Sequence, residues 1–469
     1  MGTFARMKKY AEANFNAVHH TTLNPEGPGV VRIHLIPPKS VQGEIGASVA
    51  IINGQDVIPV NSAWSILLCE LIEQINVYSG KPVTDEDVKN IIKATCTNVK
   101  KVFRFVSRRR LRKDIFRIMN AFAQIARGEE VEEDIAYISM GDYAEYMRAP
   151  HRMDLLVSAM TKEGKWNCNL SCVHCYACGQ KQAGEKELTT KQWKSIIDKC
   201  KEALIPQLTF TGGEPTMRDD LIELIKYASW FVTRLNTNGV KLTKDYCQRL
   251  KKASLDSMQI TFYSYDEKIH NELVGTSGYA NTLAGIENAL EAGINISINT
   301  PLCTLNRNYV DTLKFLHSKG VMYVTCSGLI TTGNAAKSES EDLQLTNEEI
   351  REILRESVKY CHENGMEISF TSPGWVDDKF CKEIGINTPS CGACLSNMAI
   401  TPGGNVVPCQ SWLSGKPLGS MLSDAWVKIW TSEACKERRK YSSFMRCECP
   451  LRIPRPQPAK ETGKAGEKR

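Results

Sequence analysis

From Asp154 to about Ser327 the chain alternates short apolar runs with amphipathic ones. Strands are expected at 154–159, 207–211, 231–236, 257–262, 295–299 and 323–327, rich in branched and aromatic residues. Between them, LTTKQWKSIIDKCKEA (188–203) and NTLAGIENALEAG (281–293) place apolar residues at helical spacing. Such alternation is what repeated βα units of a parallel sheet require. Six units predict an α/β fold built on a partial (β/α)6, TIM-like barrel, with functional loops at the strand C-termini.

The flanking regions pattern differently. Residues 1–44 show no sustained period and carry no assignment. ASVAIINGQDVIPV (47–60) reads as two strands joined at Asn53-Gly54, a dipeptide that tolerates the positive φ of a tight turn. Helices follow after Asn61 or Ser62, near Thr84 with an acidic first turn, and from Val99 to Arg127 across the basic run SRRRLRK. Hairpin followed by helices makes residues 45–130 a winged-helix-like α+β module. A linker at 131–153 leads to the barrel at 154–345, then a bridging helix and strand at 346–371. Residues 372–451 are rich in loops, and the basic tail 452–469, without aromatic residues, is expected to be disordered.

Composition narrows the class. At 469 residues the chain holds several domains, and 42% hydrophobic with 24% charged residues is ordinary for a globular protein. No apolar run reaches the roughly 18 residues of a membrane span, and the N-terminus lacks a secretory signal, so no membrane partner and a cytoplasmic location are expected. A formal charge of +6 is mild for this length and gives no reason to expect nucleic-acid binding.

Cysteine is unusual: there are eighteen, more than a reducing compartment uses for disulfides, which points to metal ligation. Cys168, Cys172, Cys175 and Cys178 fall within eleven residues, and Cys391, Cys394, Cys409, Cys435, Cys447 and Cys449 form a second group. In KWNCNLSCVHCYA the spacing Cys168-x3-Cys172-x2-Cys175 lets one loop offer three thiolates to a cubane, leaving the fourth iron open for a small molecule. A structural zinc loop is the plain alternative, although zinc usually pairs C-x2-C with a distant second pair. One strand later, LTFTGGEPTMR offers paired glycines through which backbone can approach a ligand.

These motifs resemble the radical S-adenosylmethionine superfamily, whose triplet is followed by an aromatic residue, here Tyr176. The resemblance implies a [4Fe–4S] cluster on Cys168, Cys172 and Cys175 whose open iron is chelated by S-adenosylmethionine. One electron splits the sulfonium, and the 5′-deoxyadenosyl radical abstracts a substrate hydrogen atom. It further implies cofactor contacts from Gly212, Gly213, Glu214 and Pro215, with Asn236, Asn238 and Thr261 from the next two strands, and a flavodoxin- or ferredoxin-type electron donor. Cys326, and after it Cys303, are candidate hydrogen donors to a substrate radical; inert packing is the alternative.

The second cysteine group looks like an auxiliary-cluster extension of the SPASM or shorter twitch type, opening with Cys394-x9-Gly404-x4-Cys409. The full C-x2-C-x5-C-x3-C continuation is absent, which favours one auxiliary Fe–S cluster with Cys391, Cys394, Cys409 and one of Cys447 or Cys449. Tetrahedral zinc is the alternative here. The N-terminal module resembles the peptide-recognition element of ribosomal peptide (RiPP) maturases. There a leader peptide adds to a sheet edge; the expected groove lies between Val49–Val60 and the helix carrying Arg108, Arg109, Arg110, Arg112 and Lys113. Together these resemblances imply an enzyme that cross-links, epimerises or cleaves a ribosomally made precursor peptide. A maturase of a protein or small-molecule cofactor without leader recognition is the rival enzyme, and a non-catalytic Fe–S or zinc scaffold the rival of another class.

Overall fold

The structure, a computed structural model, describes residues 2–15, 17–23, 31–37, 46–52, 56–79, 82–126, 138–337 and 342–453. The turn expected at Asn53-Gly54 and the tail from residue 454 lie outside them. The N-terminal segment that periodicity leaves unassigned contains α1 (Thr3–Asn14), β1 (His19–Leu23) and β2 (Val31–Ile36). With β3 (Ser48–Ile52) and β4 (Asp56–Val60) they form an antiparallel sheet in the order β1-β2-β3-β4. Helices α2 (Ser62–Asn76), α3 (Asp85–Val102) and α4 (Arg108–Ala126) follow. Asn61 caps α2 by accepting from the Ala63 and Trp64 amides, and Thr84 with Asp87 forms a capping box on α3.

Two expectations change here. The stretch from Val99 to Arg127 is not one helix: the chain breaks after Val102 and restarts at Arg108, where the Ser107 hydroxyl accepts from the Arg110 amide at 3.1 Å. Val49–Ile52 is not an edge either, because β3 pairs with β2 on one side and β4 on the other. The exposed edge on that side narrows to β4. Period-2 alternation explains why both faces of this sheet are apolar: Ile33, Leu35, Ala50 and Ile52 pack among the helices, whereas Ile36, Val49 and Ile51 join the main core. An ion pair between Arg32 and Asp256 adds a polar tie to the barrel; Asp256 also accepts from the Thr233 amide at 2.7 Å.

The barrel strands are β5 (Arg152–Ser158), then, after the small hairpin β6 (Thr161–Lys162) and β7 (Lys165–Trp166), β8 (Gln207–Gly212), β9 (Val232–Thr237), β10 (Ser257–Thr261), β11 (Asn295–Pro301) and β12 (Tyr323–Ser327). They run parallel in the order β5-β8-β9-β10-β11-β12, the six expected strands. The arc continues beyond them. β13 (Glu367–Phe370) adds next to β12, and β14 (Asn397–Ile400), β15 (Asn405–Val407) and β16 (Gly419–Ser420) extend the sheet past β5. The loop-rich C-terminal region is therefore grafted onto the barrel sheet, with β14 parallel to β5 in the register Ala399↔Asp154. Buried residues alternate along β9 to β12, so one face packs on the helices and the other lines the interior.

His151 and His270 are buried within this body, and burial lowers each to about 4 from an ordinary 6.5. A histidine whose pKa is depressed on folding contributes stability that is complete above pH 6.5 and lost as the pH falls toward 4. The denaturant midpoint should accordingly fall as pH is lowered from 7 to 5; a midpoint constant over that range would contradict this burial.

Candidate active site

The cysteine loop follows the β6–β7 hairpin, and Cys168, Cys172 and Cys175 all line one cavity of about 580 Å³ at the open end of the barrel. Neighbouring elements hold the loop backbone. Ser171 and Val173 amides donate to the Val274 and Leu273 carbonyls at 2.9 and 3.1 Å, at the end of the helix Glu267–Val274. From the loop after β12, the Asn334 amide donates to the Cys175 carbonyl at 2.9 Å and its side chain to the Cys172 carbonyl at 3.1 Å. Gly333 makes this approach feasible: at φ +60°, a Cβ there would stand 2.3–2.4 Å from the Tyr176 and Cys175 carbonyl oxygens. The 332–334 segment carries no short motif, and reading the sequence missed it.

Burial pushes the Cys168 and Cys172 thiols up to about 12, and neighbouring thiols reinforce the shift. Burial also raises Cys175. Three thiols on one loop, all lining one cavity, are the donor set that an iron–sulfur cluster takes as thiolates. The Tyr263 hydroxyl reaches the Cys172 sulfur at 3.9 Å, and the His174 ring lies 5.1 Å from the Tyr263 ring.

β8 delivers the glycine pair. Gly212 has φ +140°, and a Cβ on it would lie 2.3 Å from the Ser158 carbonyl oxygen, so the turn closes against β5 only with glycine. Gly213 donates its amide to that same carbonyl at 2.8 Å. The Glu214 carboxylate is buried at 1% exposure and accepts four hydrogen bonds. Its Oε1 takes the Thr216 amide (2.9 Å), the Thr216 hydroxyl (2.6 Å) and the Thr237 hydroxyl (2.7 Å), and its Oε2 takes the Asn238 amide at 2.8 Å. Burial raises its pKa while these bonds oppose the rise. Glu214 thus ties the end of β8 to the end of β9, and Oε2, with one bond, keeps capacity for a ligand ammonium. Pro215 opens the short turn Pro215–Met217. Arg218 then grips Asp220 at 2.7 and 2.9 Å and the Val157 and Leu188 carbonyls, a brace absent from the sequence reading.

Asn236, Asn238, Thr261 and Tyr176 line the same cavity. Asn238 bonds Asn169 of the cysteine loop at 2.7 Å. Three buried polar atoms around the cavity, Asn236 Oδ1, Asn169 Nδ2 and His174 Nε2, have no hydrogen-bond partner among the described residues. Buried polar groups are nearly always satisfied, so this mixed set of donors and acceptors fits a polar ligand such as a zwitterionic nucleotide. The cysteine trio fits the cluster by its chemistry, and the orphaned atoms fit S-adenosylmethionine. Cys326 must be corrected: on β12 it faces the helical shell at 0% exposure, while Thr325 and Ser327 beside it line the cavity. Strand alternation puts it on the wrong side for a hydrogen donor. Cys303 is likewise buried, among Leu170, Tyr263 and Leu329.

The C-terminal cysteines divide into groups. The turn at Gly404 pairs β14 with β15, and the Cys394 amide donates to the Pro408 carbonyl at 3.2 Å, next to Cys409. Cys409 is raised by burial, with Cys391 and Cys449 adding to the rise, so these three thiols share one electrostatic neighbourhood. Cys394, at φ +57°, also neighbours Cys409 but engages Cys435, whose sulfur accepts from Arg439 at 3.6 Å. The bond from Cys394, aided by that guanidinium, lowers the Cys435 thiol below its usual value. The Cys447 thiol donates to the Val376 carbonyl at 2.7 Å. Gln180 ties this region to the cysteine loop: its amide group donates to the Ser411 carbonyl at 3.1 Å and its oxygen accepts from the Leu413 amide at 3.0 Å.

Residues 167–317 match the Radical SAM superfamily, and residues 391–450 match SPASM, an iron-sulfur cluster-binding domain. An AdoMet-dependent heme synthase of Oleidesulfovibrio alaskensis is 33% identical over 192 residues, 40% of this chain and 49% of that protein. Mycofactocin maturase MftC of Mycolicibacterium smegmatis is 27% identical over 301 residues, 61% of this chain and 74% of that protein. The chain spans about half the length of the first curated relatives it matches. Among solved structures, Streptococcus suis SuiB bound to precursor peptide SuiA aligns with a TM-score of 0.56 at 13% identity, covering 83% of this chain and 86% of that one, a likeness of fold. The chain therefore carries a radical SAM domain, which binds S-adenosylmethionine and a [4Fe–4S] cluster, followed by an SPASM domain for auxiliary Fe–S binding.

Replacing Cys168, Cys172 and Cys175 together by Ala should lower the iron content of anaerobically reconstituted protein and abolish 5′-deoxyadenosine formation; unchanged iron and turnover would remove this site. Gly333→Ala, outside the ligand set, should cost about 1–3 kcal/mol of stability through its left-handed backbone and displace the cysteine loop, lowering iron uptake. Wild-type iron and unfolding midpoint in that variant would show that the loop does not depend on this approach.

Proposed function

We propose that this radical SAM enzyme with an SPASM domain matures a ribosomally made precursor peptide, and that its N-terminal module holds the leader. The observation that carries the reading is the sheet of that module. β4 is an edge strand, while the opposite edge is partly occupied, since Asn76 donates to the His20 carbonyl at 2.9 Å. α4 contacts β2 and β3, and it exposes Arg108, Arg109, Arg110, Arg112 and Lys113 together with Phe116 at 59% exposure. An extended acidic segment with an apolar residue would add to β4 through main-chain hydrogen bonds and meet that basic, aromatic helix face. Pro59 on β4 offers no amide, which limits the registers in which such a strand can dock.

When bound, the cluster and S-adenosylmethionine supply a 5′-deoxyadenosyl radical. The chain's own residues bind and orient. Glu214 and the Gly212-Gly213 backbone receive the amino acid part of the nucleotide, Asn236 and Thr261 its polar body, and the polar barrel interior admits the substrate segment. The auxiliary-cluster region lies against the cysteine loop through Gln180. We assign the auxiliary ligands to Cys391, Cys409 and Cys449, with Cys394 or Cys447 completing the set after reorientation of its thiol.

A second reading has support of its own. Two relatives at 33% and 31% identity are named AdoMet-dependent heme synthase and Fe-coproporphyrin III synthase, which favours a small-molecule cofactor as substrate. Those matches cover 40% and 43% of this chain, against 61% for the mycofactocin maturase.

Co-expression with a short peptide encoded beside the gene should change that peptide's mass. Its affinity for the full-length protein should drop about tenfold or more when Arg109, Arg112 and Lys113 are replaced by Gln, with a steep salt dependence in the parent. Turnover of Fe-coproporphyrin III with no binding of any such peptide would decide for the second reading.

A further inference from the structure

The barrel interior is more charged than a packed core of this kind, which is ordinarily filled by branched apolar side chains. Below the rim where Glu214 and Asn238 sit, Arg152 and Arg234 line the cavity floor. Asp154, at 1% exposure, pairs with Arg152 at 2.9 Å. It stands in register with Thr209, which in turn is in register with Arg234 across β5, β8 and β9. Arg234 itself donates to the Ser297 hydroxyl at 3.2 Å and has no carboxylate within ion-pair distance among the described residues. Burial lowers its pKa to about 10, Arg152 adds to the drop, and Asp154 opposes it. Glu367, exposed at the start of β13, also lines the cavity but makes no ion pair among the described residues.

Asp154 is engaged by Arg152, which leaves the Arg234 guanidinium facing the cavity with no carboxylate partner among the described residues. A buried charge is costly unless paired, and a planar guanidinium with free donors matches a carboxylate in a two-point geometry. Arg234 lies four residues before Asn238 on the same chain, roughly 13 Å along an extended strand, so an anion held there belongs to a different molecule or group from the one at the rim.

We propose that Arg234, with Arg152, forms a carboxylate-binding floor that anchors an acid group of the substrate inside the barrel, deep to the nucleotide. The substrate segment enters acid end first, and the anchor fixes which carbon stands beneath the rim. This rests on the peptide reading only in taking the acid to be a chain terminus or an acidic side chain.

The test uses full-length, reconstituted protein saturated with S-adenosylmethionine, and ligand-observed saturation-transfer NMR with three probes: N-acetyl-glycylglycine, its carboxamide, and N-acetyl-glutamate α-amide. At least one free carboxylate should bind about tenfold more tightly than the carboxamide, as expected for a charge-assisted pair. That preference should shrink to less than about twofold in Arg234→Gln and survive in part in Arg234→Lys. Preference for the glycylglycine acid assigns a chain terminus, and preference for the glutamate amide an acidic side chain; both support the floor. Equal binding of acid and carboxamide by wild-type protein would overturn it, without recourse to any variant. Retention of the preference in both Arg234→Gln and Arg152→Gln, with iron content and unfolding midpoint at wild-type values, would also overturn it. Leader binding at β4 and α4 is measured separately, so loss of the floor and loss of the peptide reading are distinguishable.

Discussion

The Glu214 carboxylate leaves water at the end of β8 and stays buried because Thr216, Thr237 and Asn238 replace its hydration with four hydrogen bonds. An unsatisfied carboxylate in that position would be expelled or protonated, and with it would go the alignment of two strand ends. From this knot the constraint spreads outward. Asn238, whose amide Glu214 holds, bonds Asn169 in the cysteine loop; Thr237 turns its hydroxyl back to the Gly239 amide. The cysteine loop and the β8–β9 rim are thereby tied into one hydrogen-bonded unit.

The cysteine loop has no regular secondary structure of its own between Asn167 and Gly179. Its geometry is imposed from three sides: the helix end at Leu273–Val274, the 332–334 segment carrying Gly333, and the C-terminal domain through Gln180. The consequence is mechanical coupling. Anything that shifts the SPASM region relative to β5 also strains the loop, because β14 pairs with β5 while Gln180 and Gln182 bond the segment from Ser411 to Gly415. One sheet of ten strands therefore carries both cluster regions, and the distance between them is set by strand pairing instead of by a flexible linker.

The N-terminal module docks by a different rule. Its sheet is apolar on both faces, so it is sandwiched between its own helices and the barrel core. Hydrophobic burial on two sides fixes the sheet firmly, and the face of α4 carrying the basic run stays in solvent. The edge of β4 and the barrel cavity are thus held in a constant relation.

Much of this was legible from residue order alone. Periodicity and spacing determined the six parallel strands, the thiol triplet and the glycine pair at the end of β8, because each is a local pattern whose physics operates within a few residues. What tertiary structure decided was everything that depends on which way a side chain faces or what lies across a gap. Cys326 sits on the outer face of its strand; β3 is internal because β1 and β2 formed from a segment without a visible period; Cys394, beside Cys409, spends its thiol on Cys435. Arg234 and Asp154 are eighty residues apart in the chain, and only closure of β5, β8 and β9 into one wall places two cations beside a single carboxylate. Contacts between distant segments are chosen by the global packing of the sheet, and no local rule encodes them.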